Sequence, residues 1–352
     1  MPPLTASGSF SANAAGNPYI VTNEVPALAL PPAGLAAEAR RAVLVRTEHD
    51  RLASQVPALS SIEVVRLSSK APEAAESVIV AAWNAERLKY HEPSVSLVHD
   101  SHADILLLSE ADFGMARSGN RHTTADLAQT LGMSYAYGVE FFEMGLGDER
   151  ERTWHAGEDN RVGFHGNGIL TRFPIREVAL IRLDDGAVWW MDAEEGQGRL
   201  GSRMAIAAVI DTAIGPLVAV SIHLESKTDP ADRERQTARL VAAVDQIAGD
   251  LPVVMGGDLN TKAIRDGSRE IETREPLFSV LREAGYAWEE ANDFAMSQRT
   301  RPDGTPQPPF ARLDWLAFRG LAASRPKTVP AVDARGVAIS DHDLVSAVFT
   351  SN

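Results

Sequence analysis

Short apolar runs alternate with amphipathic stretches along most of the chain, from about residue 76 onward. Runs of this length that end in turn or polar residues are typical of buried strands. They span residues 77–84, 103–110, 166–175, 203–210, 215–225, 251–260, 313–320 and 343–350. Apolar residues at helical spacing predict helices over residues 94–101, 122–132, 229–249 and 274–285. Strands mixed with helices in this way predict an α/β sandwich, with two sheets inside and helices outside.

The first 75 residues have a different pattern and are interpreted as an N-terminal extension of a domain formed by residues 76–352. Residues 1–18 are small, polar and proline-bearing, which is typical of a segment draped over a surface. Residues 34–56 predict one amphipathic helix. Three longer stretches between elements are predicted to be loops, and such loops are often functional. They are residues 140–165, 184–202 and 292–312.

Composition fits a globular protein and limits its chemistry. The 352 residues are 44% hydrophobic and 23% charged, which is enough apolar sequence for a sizeable core. The 34 basic and 48 acidic residues give a net charge of −14, so nucleic acid would need a local basic surface. The absence of cysteine excludes disulfides and zinc–sulfur sites. No apolar run is long enough to span a bilayer and no export signal is visible, so a cytoplasmic protein is expected. The sequence does not determine the oligomeric state.

Several predicted strands end in polar residues of types that are common in active sites. They are Asn84, Glu86, Glu110, His223, Asp258, Asn260, Asp314, Asp341 and His342. Residues two apart in a strand face the same side, so Asp258 and Asn260 are expected to face one cleft, as are Asn84 and Glu86. Carboxylate and amide oxygens suit Mg²⁺ or Mn²⁺, and nearby histidines can act as general bases or donate to phosphate oxygens. The set therefore predicts metal-assisted phosphoryl transfer.

Each of these residues also has an ordinary structural interpretation. A single Asp or Asn after a strand is commonly a turn residue, and a lone His such as His155 or His165 is commonly structural or solvated. Trp189 and Trp190 are expected to pack rather than to bind substrate. The conjunction outweighs these alternatives, because six motifs at strand ends all carry metal-ligand or general-base side chains.

These motifs, in this order, resemble the endonuclease/exonuclease/phosphatase superfamily of metal-dependent phosphoesterases over about residues 78–349. The matching segments are WNAER (83–87), LLSE (107–110), GNGILTR (166–172), SIHLES (221–226), GDLN (257–260), LDW (313–315) and SDHD (340–343). The resemblance implies a four-layer α/β sandwich in which two mixed β-sheets pack face to face. It also implies a hydrolase that uses Mg²⁺ or Mn²⁺.

The resemblance assigns roles to individual residues of this chain. The residues assigned to the metal are Asn84, Glu86, Glu110 and Asp341, with Glu110 as the principal ligand. The residues assigned to catalysis are His223, Asp258, Asn260, Asp314 and His342. Among these, Asp258 holds the attacking water, Asn260 orients the phosphate, and Asp314 supports His342. Asn167 and Arg203 are assigned to the substrate.

Three functions stay open from the sequence. The favoured one is hydrolysis of a phosphodiester of a small organic or lipid phosphate by in-line attack of water, because the acidic balance disfavours nucleic acid. The second is a DNA or RNA nuclease of the same superfamily, with a basic groove formed by Arg117, Arg121, Arg150, Arg152 and Arg161. The third is a binding module that keeps the fold without turnover.

Overall fold

The structure is a computed structural model that describes residues 16–67, 75–183, 189, 197–264, 270–301 and 305–352. The strands are β1 (Ile20–Val21), β2 (Glu24–Val25), β3 (Ile62–Val65), β4 (Val78–Arg87), β5 (Ile105–Phe113), β6 (Ser134–Glu143), β7 (Phe164–Thr171), β8 (Ile175–Arg182), β9 (Arg199–Gly201), β10 (Met204–Thr212), β11 (Gly215–His223), β12 (Val253–Asp258), β13 (Gln298–Thr300), β14 (Pro306–Ala311), β15 (Asp314–Arg319), β16 (Leu321–Val329) and β17 (Leu344–Ser351). The α-helices are α1 (Leu35–Ala39), α2 (Arg46–Ala53), α3 (His91–Asp100), α4 (Thr123–Leu131), α5 (Glu149–Trp154), α6 (Pro230–Ala248), α7 (Ile271–Arg274) and α8 (Leu277–Glu283). The predictions made for residues 1–15 and for Trp190 lie outside the described residues.

Two large mixed sheets contain most of the strands. Sheet A has the order β1-β8-β10-β11-β12-β15. Sheet B has the order β16-β17-β4-β5-β7-β6-β3-β2, and β9 pairs with β6 beside this path. Parallel pairs, such as β4 with β5 and β11 with β12, occur among antiparallel ones in both sheets. This arrangement confirms the predicted pair of mixed sheets.

The sheets pack face to face, and helices cover their outer sides. Alternate residues of each strand, such as Val80 and Leu107 in sheet B and Ile206 in sheet A, form one fully buried cluster between the sheets. The intervening residues pack outward, and among them Trp83 lies in the cluster with α3 and α4 while Val220 lies in the cluster with α6 and α8. Strands buried on both faces have no polar side, which explains the nearly continuous apolar runs in the sequence. The four-layer sandwich is confirmed.

The described part of the N-terminal region is built into the sheets. β1 pairs with β8 at the edge of sheet A, and β2 and β3 extend sheet B beside β6. These strands have only two to four residues each, so the sequence pattern alone did not identify them.

Residues 34–56 form two short helices rather than the one predicted helix. Leu35 of α1 and Leu52 of α2 are both buried against sheet B. Seventeen residues at about 100° per residue would turn these two side chains roughly 100° apart on one continuous helix. A break at Val45, whose backbone is extended, lets both reach the core.

Besides β1 to β3, six strands were not predicted, namely β6, β8, β9, β13, β14 and β16. β9 lies within the predicted loop 184–202, and β13 and β14 lie within the predicted loop 292–312. β6 is buried at every residue, but it carries Glu140 and Glu143, which made its second half resemble the start of a loop. The predicted loop 140–165 therefore contains the end of β6, helix α5 and the start of β7. β16 is mostly exposed at the edge of sheet B and carries Lys327 and Pro326, residues that are typical of edge strands. Among the described residues, no helix is both long and apolar enough to cross a membrane.

Two adjacent glycines at the end of β12 let neighbouring strands approach closely. A Cβ atom on Gly256 would lie 2.6 Å from the carbonyl oxygen of Trp315, and one on Gly257 would lie 2.0 Å from the carbonyl oxygen of Ile222. Gly257 also has a φ of +142°, which side chains other than glycine rarely adopt. The GGD sequence is therefore required by the backbone packing that holds Asp258 in place.

We expect Gly257→Ala to destabilise the fold more than Gly215→Ala does. Both glycines have positive φ, but a Cβ on Gly215 would meet nothing within 4 Å. Gly215→Ala should lower the free energy of unfolding by about 1–3 kcal/mol through backbone strain alone. Gly257→Ala should lower the free energy of unfolding by more than this, because its Cβ would also force β11 and β12 apart. Urea unfolding followed by circular dichroism measures both, and equal losses in the two variants would contradict the packing argument.

Candidate active site

The candidate site lies where the apolar rows between the two sheets end in polar residues. In β4, Val80 and Ala82 belong to the cluster between the sheets, and the next residue on that side is Asn84. In β12, Val254 belongs to the same cluster, and Asp258 follows four residues later on the same side. Because side chains alternate along a strand, the register that buries the apolar row also delivers the polar residue to the end of the sandwich.

Asn84 connects the two sheets at this end. Its Nδ2 donates to Glu110 Oε1 on the neighbouring strand of sheet B and to Asp258 Oδ2 on sheet A, both at 3.1 Å. The side chain of Asn84 is buried, so these hydrogen bonds satisfy the amide in the absence of solvent. Three of the residues predicted from the sequence are therefore in direct contact.

Asp258 and Asn260 do not simply project side by side. The backbone N–H of Asn260 donates to Asp258 Oδ1 at 2.8 Å, and the Asn260 side chain donates to the carbonyl oxygen of Leu224 at 3.0 Å. Asn260 adopts a left-handed φ of +50° to do this. Both residues still line the same cavity. Burial raises the pKa of Asp258, and the neighbouring carboxylate of Asp314 adds to that effect.

Asp314 and His342 form the pair expected from the sequence. His342 Nδ1 lies 2.7 Å from Asp314 Oδ2, and His342 Nε2 lies 3.8 Å from Asp258 Oδ2. Burial alone would lower the pKa of His342, but Asp314, Asp341 and Asp258 outweigh it and hold that pKa well above its usual value. The three carboxylates therefore favour the protonated imidazole, in which Nε2–H faces the cavity. The oxygen and nitrogen atoms of Asp258, Asp314 and His342 also lie close enough together to hold a metal ion.

His223 faces Asp258 from the neighbouring strand. Its Nε2 is 3.7 Å from Asp258 Oδ2, and its Nδ1 is 3.5 Å from Glu140 Oε2. Arg203 Nη1 lies 2.9 Å from His223 Nδ1 and donates to Glu140 Oε1 at 2.9 Å. Although Glu140 is fully buried, Arg203 and His223 lower its pKa to about 2. The sequence did not identify Glu140, because it lies within an apolar strand that has no motif around it.

Arg203 lines the cavity but is held by protein groups. Besides Glu140, its guanidinium lies 3.2 Å from Glu225 and 4.9 Å from the centre of the Trp189 ring. Trp189 is buried and donates from Nε1 to Glu225 Oε2 at 2.8 Å. Trp189 thus packs against the arginine of the site. These contacts position Arg203 beside His223, and its predicted role in substrate binding remains a prediction.

The residues predicted to bind metal divide into two groups. Glu110 and Asp341 line the cavity, whereas Glu86 is not among its lining residues and pairs with Lys89 at 2.7 Å. Burial raises the pKa of Glu86 to about 7, with a further contribution from Asp341. Burial also raises the pKa of Asp341, and Glu110 adds to that effect.

Carboxylates that repel each other in a buried site favour a bound cation. The carboxylate oxygens of Glu110 and Asp341 fit a hard divalent ion such as Mg²⁺ or Mn²⁺. Asn84 turns its amide nitrogen toward Glu110, and its Oδ1 accepts from the backbone N–H of Glu86 at 3.1 Å, so its predicted place in the metal site remains a prediction. The chemistry of the donor set therefore agrees with the metal expected from the sequence.

Asn167 is buried and does not line the cavity. Its Nδ2 donates to the carbonyl oxygen of Met204 at 3.1 Å, which ties β7 to β10 between the sheets. Its Oδ1 is buried without a hydrogen-bond partner in the described part of the chain. The predicted contact of Asn167 with substrate therefore remains a prediction.

The cavity at this end of the sandwich has a volume of about 250 Å³. His165, which was expected to be structural or solvated, lines this cavity and is buried. The other cationic and polar lining residues that were given no role from the sequence are Arg87, Gln197, Arg199, Ser226, Lys227, Lys262 and Gln298. Arg87 is the last residue of WNAER, and Lys262 lies two residues after GDLN, so their proximity to these motifs was a usable signal. Arg199 lies in a stretch with no motif. Of the arginines proposed for a nuclease groove, none is among the lining residues, and Arg117 is buried.

A larger cavity of about 770 Å³ lies against the outer face of sheet A, beside Trp288, Trp315 and Arg312. None of the residues predicted for catalysis or metal binding lines it. We therefore assign the chemistry to the smaller cavity, where the titratable groups converge.

A buried chain of ion pairs extends from the site toward α5. Glu151 accepts from Arg117 at 2.9 Å, and Arg117 donates to Asp112 at 2.9 Å. Asp112 lies 2.7 Å from His165 Nδ1. Burial works against the charge on Glu151, but Arg117 and Arg87 lower its pKa to about 2.

We expect stability to fall in acid as these carboxylates are protonated. Glu140, Glu151 and Glu225 have folded-state pKa values of about 2, below the usual value of 4.5. Their contribution is fully present above about pH 4.5 and is lost as the pH falls toward 2, because the unfolded state then binds more protons. Free energies of unfolding from urea titrations at several pH values measure the slope. Glu225→Gln should make that slope shallower by up to about 1.4 kcal/mol per pH unit. An unchanged slope would contradict the assignment.

Comparison with known proteins agrees with this geometry. The sequence model of the Endonuclease/Exonuclease/phosphatase family matches residues 81–342. That match spans the strand ends from Asn84 to His342 and covers most of the chain. Among curated proteins, none matches the sequence significantly.

Solved structures share the fold at low sequence identity. An endonuclease/exonuclease/phosphatase from Beutenbergia cavernae is 17% identical with a TM-score of 0.56, and the match covers 79% of this chain and 72% of that one. A protein of the same description from Bacteroides vulgatus is 16% identical with a TM-score of 0.53, covering 79% and 100%. The catalytic domain of human Nocturnin, solved with a bound sulfate, is 18% identical with a TM-score of 0.51, covering 83% and 98%. These similarities support the four-layer architecture.

Proposed function

The chain belongs to the endonuclease/exonuclease/phosphatase family, and on this premise we propose that it is a divalent-metal-dependent phosphodiesterase acting on a small organic or lipid phosphate. The observation that carries the proposal is the convergence of Asp258 with two histidines. Asp258 Oδ2 lies 3.7 Å from His223 Nε2 and 3.8 Å from His342 Nε2. A carboxylate between two imidazoles can hold a water molecule against a phosphoryl group that the imidazoles grip.

The residues have distinct roles in this proposal. Asp258, whose pKa is raised by burial, accepts the proton of the water as its oxygen attacks phosphorus. The bond from phosphorus to the departing oxygen breaks, and protonated His342 supplies the proton that the departing oxygen takes up. His223 donates to a phosphoryl oxygen, and Asn260 fixes Asp258 through its backbone N–H. A divalent ion held by Glu110 and Asp341 would neutralise charge on the phosphate, while Asn84 holds the Glu110 carboxylate through its amide N–H.

The shape and charge of the cavity support a small anionic substrate. A volume of about 250 Å³ is enough for a phosphate and a short polar group. The cations Arg199, Lys227 and Lys262 line this cavity even though the net charge of the chain is −14. Positive side chains around the reacting groups favour a phosphoester over a neutral ester.

We expect Asp258→Ala and His342→Gln to lower turnover of bis(p-nitrophenyl) phosphate in Mg²⁺ or Mn²⁺ by about 10²–10⁴-fold, since each removes a proton-transfer group. His99→Gln is the matched control, because His99 is exposed, pairs with the exposed Asp100 and does not line the cavity. EDTA should abolish wild-type activity. Near-normal activity of either site variant, with folding checked by circular dichroism, would remove it from the mechanism.

The same three cations also make a nuclease the second candidate. Arg199, Lys227 and Lys262 could bind neighbouring phosphates of a polynucleotide. If they do, cleavage of plasmid or RNA should fall steeply with salt, and Lys262→Gln should reduce the slope of log rate against log salt by about one. For a small phosphodiester we expect p-nitrophenyl diester hydrolysis that changes little with salt, and no plasmid cleavage. Steep salt dependence together with plasmid cleavage would favour the nuclease.

A further inference from the structure

Arg87 lies in an unusual backbone segment beside the principal metal ligand. Glu86, Arg87 and Leu88 are consecutive residues with left-handed φ values of 42°, 74° and 53°, and Glu110 on the neighbouring strand has a φ of 54°. The register of β4 with β5 shifts at this level, between Asn84 and Arg87. The two distortions together bring the side chains of Arg87 and Glu110 into contact. Residues other than glycine hold such conformations only where their surroundings fix them.

Both carboxylate oxygens of Glu110 are engaged by protein donors. Oε1 accepts from Asn84 Nδ2 at 3.1 Å, and Oε2 accepts from Arg87 Nη1. The side chains of Glu110 and Arg87 are each only 17% exposed. A divalent ion bound to Glu110 would therefore have to share the carboxylate with a guanidinium, and like charges at that distance repel strongly in a poorly solvated site.

A second carboxylate is placed to hold Arg87 once it leaves Glu110. Glu151 Oε1 already lies 3.2 Å from Arg87 Nε. Glu151 is itself fixed, because Oε2 accepts from Arg117 Nη1 and from the backbone N–H of Asp148, both at 2.9 Å. Arg87 therefore has a buried acceptor on α5 that does not move with Glu110.

We propose that Arg87 is the resident counter-ion of Glu110 and that a divalent metal displaces it, leaving the guanidinium on Glu151. This inference rests on the metal dependence of the proposed function. It concerns the ion pair between Arg87 and Glu110 that the metal must break in order to bind. Arg87 keeps Glu110 charged and oriented before the metal binds, and it weakens the apparent metal affinity by competing for the same oxygen. The alternative is that Arg87 only orients Glu110 and stays in place. The two cases predict opposite changes in metal affinity when Arg87 is replaced. Loss of Arg87 strengthens metal binding in the first case and weakens it in the second.

Direct Mn²⁺ binding separates these cases. Binding is followed by loss of the electron paramagnetic resonance signal of free Mn²⁺ at fixed ionic strength. We expect Arg87→Met to lower the Mn²⁺ dissociation constant by about tenfold or more, since a competing charge is removed. Arg87→Lys keeps the charge and should stay close to wild type. Arg121→Met is the matched control, because Arg121 donates to the backbone carbonyls of Leu88 and Lys89 in the same segment but does not pair with Glu110.

Thermal stability gives a second readout. Arg87→Met leaves Glu110 without its cation, so its melting temperature without metal should fall and its gain on adding Mn²⁺ should exceed that of wild type. If Arg87→Met folds only with Mn²⁺, that metal requirement is itself the expected result, and Arg87→Gln provides a milder variant for the affinity measurement.

Unchanged or weaker Mn²⁺ binding by Arg87→Met would overturn the inference while leaving the phosphodiesterase proposal intact. Glu110→Gln should abolish binding. If Glu110→Gln binds like wild type, or if no variant binds Mn²⁺, the metal site itself is wrong and both proposals fail.

Discussion

The polar end of the molecule depends on one buried amide that joins the two sheets. Asn84 donates to Glu110 within sheet B and to Asp258 across the gap in sheet A, at 3.1 Å each. The apolar rows beneath it set the spacing of the sheets, and this amide converts that spacing into a fixed separation of two carboxylates. Burying a carboxylate without hydrogen-bond donors raises the free energy of the folded state. Glu110 and Asp258 therefore both depend on the packing that brings the two sheets together around Asn84. The packing of the two sheets therefore also fixes the geometry of the candidate site.

The sequence predicted those parts of the fold whose patterns are local. Strands such as β4 and β12 are apolar on both faces and end in polar residues. Both the strands and the candidate site residues at their ends could therefore be predicted. β6 was missed because Glu140 interrupts an apolar stretch, and only the distant Arg203 explains why a carboxylate is buried there. The split of the predicted helix at residues 34–56 follows from the positions of Leu35 and Leu52 relative to the core, which no local pattern contains.

The candidate site shows the same division. Asp314, His342 and Asp258 were predicted from strand-end chemistry, and the structure places them together. Arg87 belongs to the WNAER segment but was given no role in the site, because its contact with Glu110 depends on the shifted register between β4 and β5, which the sequence pattern does not contain. Net charge was a weak guide for a similar reason. A total of −14 describes the whole surface, whereas the cavity is lined by Arg199, Lys227 and Lys262.

Backbone strain is concentrated in and beside the candidate site. Of the nine non-glycine residues with positive φ in the described part of the chain, five are Glu86, Arg87, Leu88, Glu110 and Asn260. Each such residue costs of order 1–3 kcal/mol, so a marginally stable domain tolerates the group only if other interactions offset it. The hydrogen bond from Asn260 N–H to Asp258 and the pairing of Arg87 with Glu110 are interactions of that kind, and both are made by residues with positive φ. The residues with positive φ lie where β4, β5 and β12 reach the cavity, so the candidate catalytic groups are placed mainly by the ends of paired strands.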